Sequence, residues 1–249
     1  MKHVGILAHS AEGAALCFRA FCQEGFRELG PHQHPDVTLD CIAMGHSMAA
    51  WDHGRHDEIA HTLAVSVGRL ARAGADFFVC PDNTAHLALE RAGTRLELPG
   101  LHIAEIVAER AALDGHTRVG VLGTRYLMES RLYPRAFEAH GITAVTPGAA
   151  DRQIVNTIIF EELVNGVFTD ESLQRYVQII ERFEAQGCAA VALVCTEIPL
   201  LVTPDLSPIP TLDSTRLLAR AAFDVAIGHR PMPTWHGTVN PSEAARHQR

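Results

Sequence analysis

Two stretches carry residue types suited to proton transfer, at matching places. Phe77-Phe78-Val79-Cys80-Pro81-Asp82-Asn83-Thr84 is an apolar run that breaks into small polar residues, and Ala189-Ala190-Val191-Ala192-Leu193-Val194-Cys195-Thr196-Glu197 repeats the pattern. A glycine leads each run, Gly74 and Gly187, and eight residues beyond them stand Asp82 and Cys195. Asn83 then matches Thr196, and Thr84 matches Glu197. A carboxylate and a thiol can each act as acid or base. In an open α/β sheet, ligands bind beyond the carboxyl ends of the strands. Asp82 and Cys195 are therefore expected to face each other across one small-molecule site.

The elements needed to position these groups are visible as a duplication. Lys2-His3-Val4-Gly5-Ile6-Leu7-Ala8 and Thr117-Arg118-Val119-Gly120-Val121-Leu122-Gly123 align at an offset of 115, and Asp82 aligns with Cys195 at 113. Two features sharing nearly one spacing imply two similar α/β halves related by a pseudo-twofold axis. The halves are expected at 1–114 and 115–207, with the chain returning to the first at about 208–249.

In the first half the pattern predicts strands at 3–8, 37–44, 76–80 and 101–103. Helices are predicted to Leu29, over 59–73, 85–92 and 105–113. In the second half it predicts strands at 117–123, 142–145, 189–195 and 209–212, with helices at 124–140, 152–163, 170–186 and 214–227. The turn His9-Ser10-Ala11-Glu12-Gly13 follows the first strand. Ser10 there suits either a helix cap or an anion site at a helix N-terminus. The tail from His229, with Pro231, Pro233 and Pro241, is expected to pack loosely or to cross to a partner subunit.

Bulk properties exclude several classes. A net charge of −8 over 249 residues argues against nucleic acid, which needs a basic footprint. No apolar run reaches the ~18–20 residues that cross a bilayer, and the N-terminus lacks a signal peptide's apolar segment. A cytoplasmic location with reduced thiols is expected. Cys17, Cys22, Cys41 and Cys80 read as small buried hydrophobes.

Two competing motifs carry less. Gly45-His46-Ser47-Met48-Ala49 resembles the nucleophile elbow of α/β-hydrolases but ends in Ala49, and that fold needs several strands ahead of its elbow. His46, Asp52, His53, His56, Asp57 and His61 include metal-ligating types, yet nothing fixes a third zinc ligand, and no metal is expected. This segment reads as a solvated loop and helix start, or as a lid. Arg55 reads as a surface residue or a carboxylate clamp, and His86 as a surface, capping or site-lining residue.

Taken together, the motifs resemble the aspartate/glutamate racemase superfamily, which includes hydantoin racemases, maleate isomerase and arylmalonate decarboxylase. Val194-Cys195-Thr196-Glu197-Ile198 is similar to its second signature and Asp82-Asn83-Thr84-Ala85-His86 to its first. Leu122-Gly123-Thr124 followed by Met128, Ser130 and Tyr133 is similar to a third stretch, and the likeness spans residues 3–227. It implies two Rossmann-like halves with mainly parallel sheets, an active site in the cleft between them, cofactor-independent chemistry and a homodimer. Cys195 would move a proton at the carbon next to a carboxylate. Asn83, Thr84 and Thr196 would hold that carboxylate, with Ser10 and Thr124 lining the cleft; Tyr126 carries over from the decarboxylase branch alone.

This chain departs from the family at Asp82, where the racemases normally carry a cysteine, and at Val164, where they often carry a lysine. Cys80 lies two residues early, about 6–7 Å along a strand, so Asp82 is the better occupant of the cysteine's role. Burial would raise its carboxyl pKa and let it donate a proton while Cys195, its thiol lowered near a helix N-terminus, abstracts one. Alternatively Asp82 caps the following helix, which predicts that Asp82→Asn retains activity. The expected function is racemisation or isomerisation of an aspartate- or glutamate-like amino acid or small carboxylate. One-cysteine decarboxylation, cis-trans isomerisation and ligand binding without turnover are the alternatives.

Overall fold

The computed structural model describes residues 1–91, 93 and 95–238. The chain forms two compact units: Met1–His102 with the described residues from Ala219 onward, and Ile103–Leu218. The first contains β1 (Val4–Ala8), α1 (Ala11–Leu29), β2 (Val37–Cys41), α2 (Met48–Asp52), α3 (His56–Arg72), β3 (Phe77–Val79), α4 (His86–Leu89) and β4 (Gly100–Leu101). The second contains α5 (Ile103–Leu113), β5 (Arg118–Leu122), α6 (Arg125–Met128), α7 (Leu132–Glu138), β6 (Thr143–Val145), α8 (Ala149–Glu161), α9 (Asp170–Ala185), β7 (Ala190–Leu193), α10 (Ile198–Leu201) and β8 (Thr211–Asp213). The boundary at 218/219 falls inside α11 (Ser214–Ala226). The helix at 103–113 thus groups with the second unit, where it packs on α7 and β8, and the chain returns to the first unit at 219.

Each unit is built on a four-stranded parallel sheet, ordered β2-β1-β3-β4 in one and β6-β5-β7-β8 in the other. The orders correspond strand for strand, and so do the registers: Val4 pairs with Phe77, and Val119 with Ala190. The duplication therefore extends to hydrogen-bonded partners. Central β1 is buried at all five positions, as a parallel strand covered on both faces must be. Edge strand β2 has no fully buried position, and Cys41 at its end is exposed rather than buried as its apolar neighbours suggested.

Helix-to-sheet packing repeats as well. Leu70 of α3 lies over Gly5, where an added Cβ would meet it at 3.1 Å; Phe183 of α9 lies over Gly120, where an added Cβ would meet its ring at 2.4 Å. Each of these helices ends in the same way. Gly74 and Gly187 take φ of +90° and +82°, which a side chain disfavours. Ala75 N then bonds Leu70 O, and Cys188 N bonds Phe183 O, closing matched helix ends.

Three expectations are revised. The helix predicted over 124–140 is two helices, because Ser130 Oγ donates to Leu127 O and accepts from Leu132 N, diverting the backbone between them. The 37–44 strand ends at Cys41, and a 3-10 turn at Met44–His46 leads into α2. Ser47 between them has φ −103° and ψ −10°, ordinary helical geometry without the strained strand-to-helix turn of a nucleophile elbow. The tail is held against its own unit at 235–238 rather than packing loosely there. Gly100 N donates to Trp235 O, Leu96 N to His236 O and Thr238 N to Leu89 O, laying 235–238 against β4 and the segments beside it. The remaining expectation, for 239–249, lies outside the described residues.

Candidate active site

Strand order reverses between β1 and β3 in the first unit, and between β5 and β7 in the second. Such switch points are where open α/β sheets bind ligands. The β1–β3 register runs through Ile6 opposite Val79. Three residues further on, it brings His9 to Asp82. His9 Nδ1 lies 2.7 Å from Asp82 Oδ2, with the side chains 4% and 14% exposed. Trp51 Nε1, from α2, donates to His9 Nε2 at 3.3 Å. That contact puts the proton of the neutral ring on Nδ1, aimed at the carboxylate. Asp82 Oδ1 accepts the Ala85 N–H at 3.1 Å, and the Asp82 carbonyl accepts from His86 Nδ1 at 2.9 Å. Asp82 is thus a turn cap through one oxygen and a partner of His9 through the other.

This arrangement reverses the electrostatic expectation for Asp82. Burial pushes its carboxyl pKa up, but the His9 charge and hydrogen bond, with the Ala85 N–H, outweigh burial and hold it below the usual carboxylate range. Burial likewise opposes protonation of His9, and Asp82 outweighs it, so the imidazole pKa is raised. Burial and the His102 charge push His86 down to about 3, so it stays neutral. Cys80 is fully buried, and burial and the Asp82 charge drive its thiol pKa well up, which suits a structural cysteine rather than an acid/base.

In the second unit the β5–β7 register runs to Leu122 opposite Leu193. Two residues further on it brings Thr124, the N-cap of α6, level with Cys195. Cys195 is half-buried, and its Sγ donates to Glu197 Oε2 at 3.1 Å. The helix after it, Ile198–Leu201, is a single turn, so the thiol faces a carboxylate partner without a long helix's N-terminus beyond it. Thr196 and Glu197 are buried, as Asn83 is in the first unit. Next to Thr124, a cavity of about 200 Å³ is lined by Arg125, Arg152, Asn156 and Glu129.

A sequence model of the Asp/Glu/Hydantoin racemase family matches residues 18–222. The chain belongs to that family. It is 34% identical to a candidate Asp/Glu racemase from Yersinia pestis of known structure, with a TM-score of 0.84, covering 91% of this chain and 100% of the other. It is 25% identical to an aspartate racemase homologue from Pyrococcus horikoshii, with a TM-score of 0.78 and coverage of 91% and 100%. Among curated proteins, a broad specificity amino-acid racemase from Bacillus subtilis is 23% identical over 175 residues, 70% of this chain and 75% of that protein. The family's fold of two similar halves is the one described above, and its activity makes this chain an amino-acid racemase/isomerase type of enzyme.

Within the family frame, the remaining candidates fall as follows. Ser10 caps α1, accepting the Gly13 N–H at 3.2 Å. Tyr126 is exposed, with the Arg125 guanidinium 6.0 Å from its ring centre. Thr84 sits in the turn after Asp82, its carbonyl accepting the Leu87 N–H. In the histidine-rich segment, His53 Nδ1 bonds the Ala49 carbonyl at 2.7 Å and His56 packs on Trp51. Arg55 pairs with Glu58 on the surface. His86 is buried against Trp235 and His102, neither a surface nor a capping residue. No helix among the described residues is long and apolar enough to cross a membrane.

Sequence reasoning missed His9, Trp51 and a role for Glu197. For His9 the signal was present: the offset of 115 takes it to Thr124, which had been singled out. Trp51 had no such signal, since its contact with His9 depends on how α2 packs.

Proposed function

We propose that this enzyme is a cofactor-independent racemase of small acidic amino acids, using Cys195 and Asp82 as its two acid/base groups. What supports the reading is that corresponding strand ends of two duplicated sheets each present one proton-transfer group with a polar partner: Asp82 with His9, Cys195 with Glu197. The names of the Bacillus subtilis and Pyrococcus horikoshii relatives point to amino-acid and aspartate substrates.

In one direction the Asp82 carboxylate takes the Cα proton while the Cys195 thiol gives a proton to the other face. The enzyme is left with protonated Asp82 and a Cys195 thiolate, and the reverse direction restores it. Asn83, Thr84, Thr196 and Thr124 hold the α-carboxylate, with the Ser10 hydroxyl still free to donate while its oxygen caps α1. Arg125 and Arg152 take the place of the cation missing at Val164 and receive the side-chain carboxylate. We place the enzyme in the cytoplasm as a homodimer.

The test is deuterium incorporation at Cα in D2O, followed by NMR with L- and D-aspartate and glutamate. Exchange with inversion, lost in Cys195→Ser and in Asp82→Asn, is the expected result. Exchange without inversion, or CO2 release, that survives Asp82→Asn would replace two-base racemisation with chemistry by Cys195 alone.

A further inference from the structure

Proton transfer between two groups on one carbon leaves a question that the family reaction does not answer. The pair shares one proton, and where it rests in the free enzyme decides which enantiomer meets a ready base. The first unit contains a device that bears on this. His9 is almost sealed from solvent, so it reaches the substrate only through Asp82, whose side chain is the more open of the two. Its Nδ1 sits 2.7 Å from Asp82 Oδ2, a length typical of a hydrogen bond to a charged acceptor. The Trp51 N–H occupies Nε2, so the ring proton is committed to the Asp82 side. The Ala85 N–H on Oδ1 adds a second donor to the same carboxylate.

We propose that His9 is a positioning residue, its tautomer set by Trp51, that keeps Asp82 a carboxylate in the resting enzyme, so that the proton shared by the two catalytic groups rests on Cys195. This rests on the racemase reading above. The second unit is consistent with it, since the Cys195 sulfur points its hydrogen at the Glu197 carboxylate. The enantiomer whose Cα–H meets Asp82 then finds the enzyme ready, and the other must wait for the minor form with Asp82 protonated and Cys195 a thiolate. Racemisation has an equilibrium constant of one, so kcat/KM stays equal for the two enantiomers and the asymmetry appears as a split in kcat and KM separately.

Among the described residues, the groups that face this carboxylate come from three places. His9 approaches from the end of β1, the neutral His86 from α4 and Cys80 from its own strand end. Trp51 comes from α2, with His56 packed on it. Removing the His9 donor leaves burial of Asp82 weakly opposed, which raises the carboxyl pKa.

The experiment compares His9→Leu, which removes the donor, with His9→Gln, whose amide N–H can replace it. One readout is free of activity: 13C NMR titration of protein labelled at the aspartate carboxyl carbons, with the Asp82 signal identified by its loss in Asp82→Asn. Its midpoint is expected below the usual carboxylate range in the wild type, about one to two pH units higher in His9→Leu, and mostly restored in His9→Gln. The second readout is the acidic limb of the pH–rate profile, which should move up with the same midpoint while the kcat split between enantiomers narrows. An Asp82 midpoint that does not move in His9→Leu overturns the proposal even if racemisation is robust. Wild-type protein with no Cα exchange on any amino acid overturns the racemase reading instead, while the titration still reports on His9 and Asp82. If His9→Leu fails to fold, Trp51→Phe serves: 15N NMR of the His9 ring should show Nδ1–H as the neutral tautomer in the wild type and a mixture in the variant. An Nε2–H tautomer in the wild type overturns the proposal.

Discussion

The two strand ends solve the same placement problem with opposite chemistry. At the end of β3, Asp82 is an acceptor supplied with a proton donor from the adjoining strand, His9. At the end of β7, Cys195 is a donor supplied with an acceptor from its own turn, Glu197. The positions of those partners correspond to Thr124 and Thr84 in the other half, so neither partner is duplicated. Duplication preserved the scaffold and the location of an ionisable side chain at the strand end. The partner changed with the group it serves, because a carboxylate held ionised needs a donor and a thiol needs an acceptor.

The largest effect that could break this comparison is at the Cys195 partner. Glu197→Gln is expected to lower Cα exchange about 10²-fold, in the range of general acid–base assistance, whereas Thr124→Val, at the position matching His9, should change it less than about tenfold. Deuterium wash-in at Cα measures both. A fall in kcat in Thr124→Val as large as that in Glu197→Gln would mean that the second half also works through the adjoining strand, whereas a rise in KM alone reports its hold on the α-carboxylate. A change confined to KM for dicarboxylic amino acids is expected for Arg152→Met, about tenfold or roughly 1.4 kcal/mol, with neutral amino acids unaffected; steady-state kinetics would show it.

Stability sharpens the comparison at equivalent core positions. Gly120→Ala drives a methyl into the Phe183 ring and should cost about 1–3 kcal/mol in urea unfolding, more than Gly5→Ala, where the nearest atoms, of Leu70 and Ala75, lie at 3.1–3.2 Å and are less crowded than the ring at 2.4 Å. Equal losses would mean that the two helix seats are as alike as their registers. The smallest effect is pH-dependent. The raised His9 pKa contributes stability below the unfolded histidine value of about 6.5 that is lost as pH rises through the folded value; the lowered Asp82 pKa contributes stability lost as pH falls through its folded value. The Tm advantage of wild type over Asp82→Asn should therefore be largest between those two values, by about 2–4 °C for roughly 1 kcal/mol, and shrink on either side.

Much of the scaffold was legible because parallel strands buried on both faces read as apolar runs, and because a duplication writes each strand twice. Asp82 and Cys195 stood out as polar residues where such runs stop. The partners were harder to see, since His9 looks like any turn residue until β1 and β3 are known to be neighbours. The state of Asp82 was read in the wrong direction, because burial is visible in a sequence and a hydrogen bond from a residue 73 positions away is not. The helix break at Ser130 and the course of 235–238 turn on side-chain and backbone bonds that periodicity does not encode.

The run of chain at 235–238 has a consequence for solubility. β4 is a two-residue strand at the rim of its sheet, and Trp235 occupies the side of Gly100 that faces away from β3. A bare rim of backbone donors and acceptors is a template for pairing with another molecule. Ending the chain before Pro231 would uncover that template and strip the ring stacked on His86, so shortened versions of this enzyme should self-associate through β4 even where each sheet remains folded.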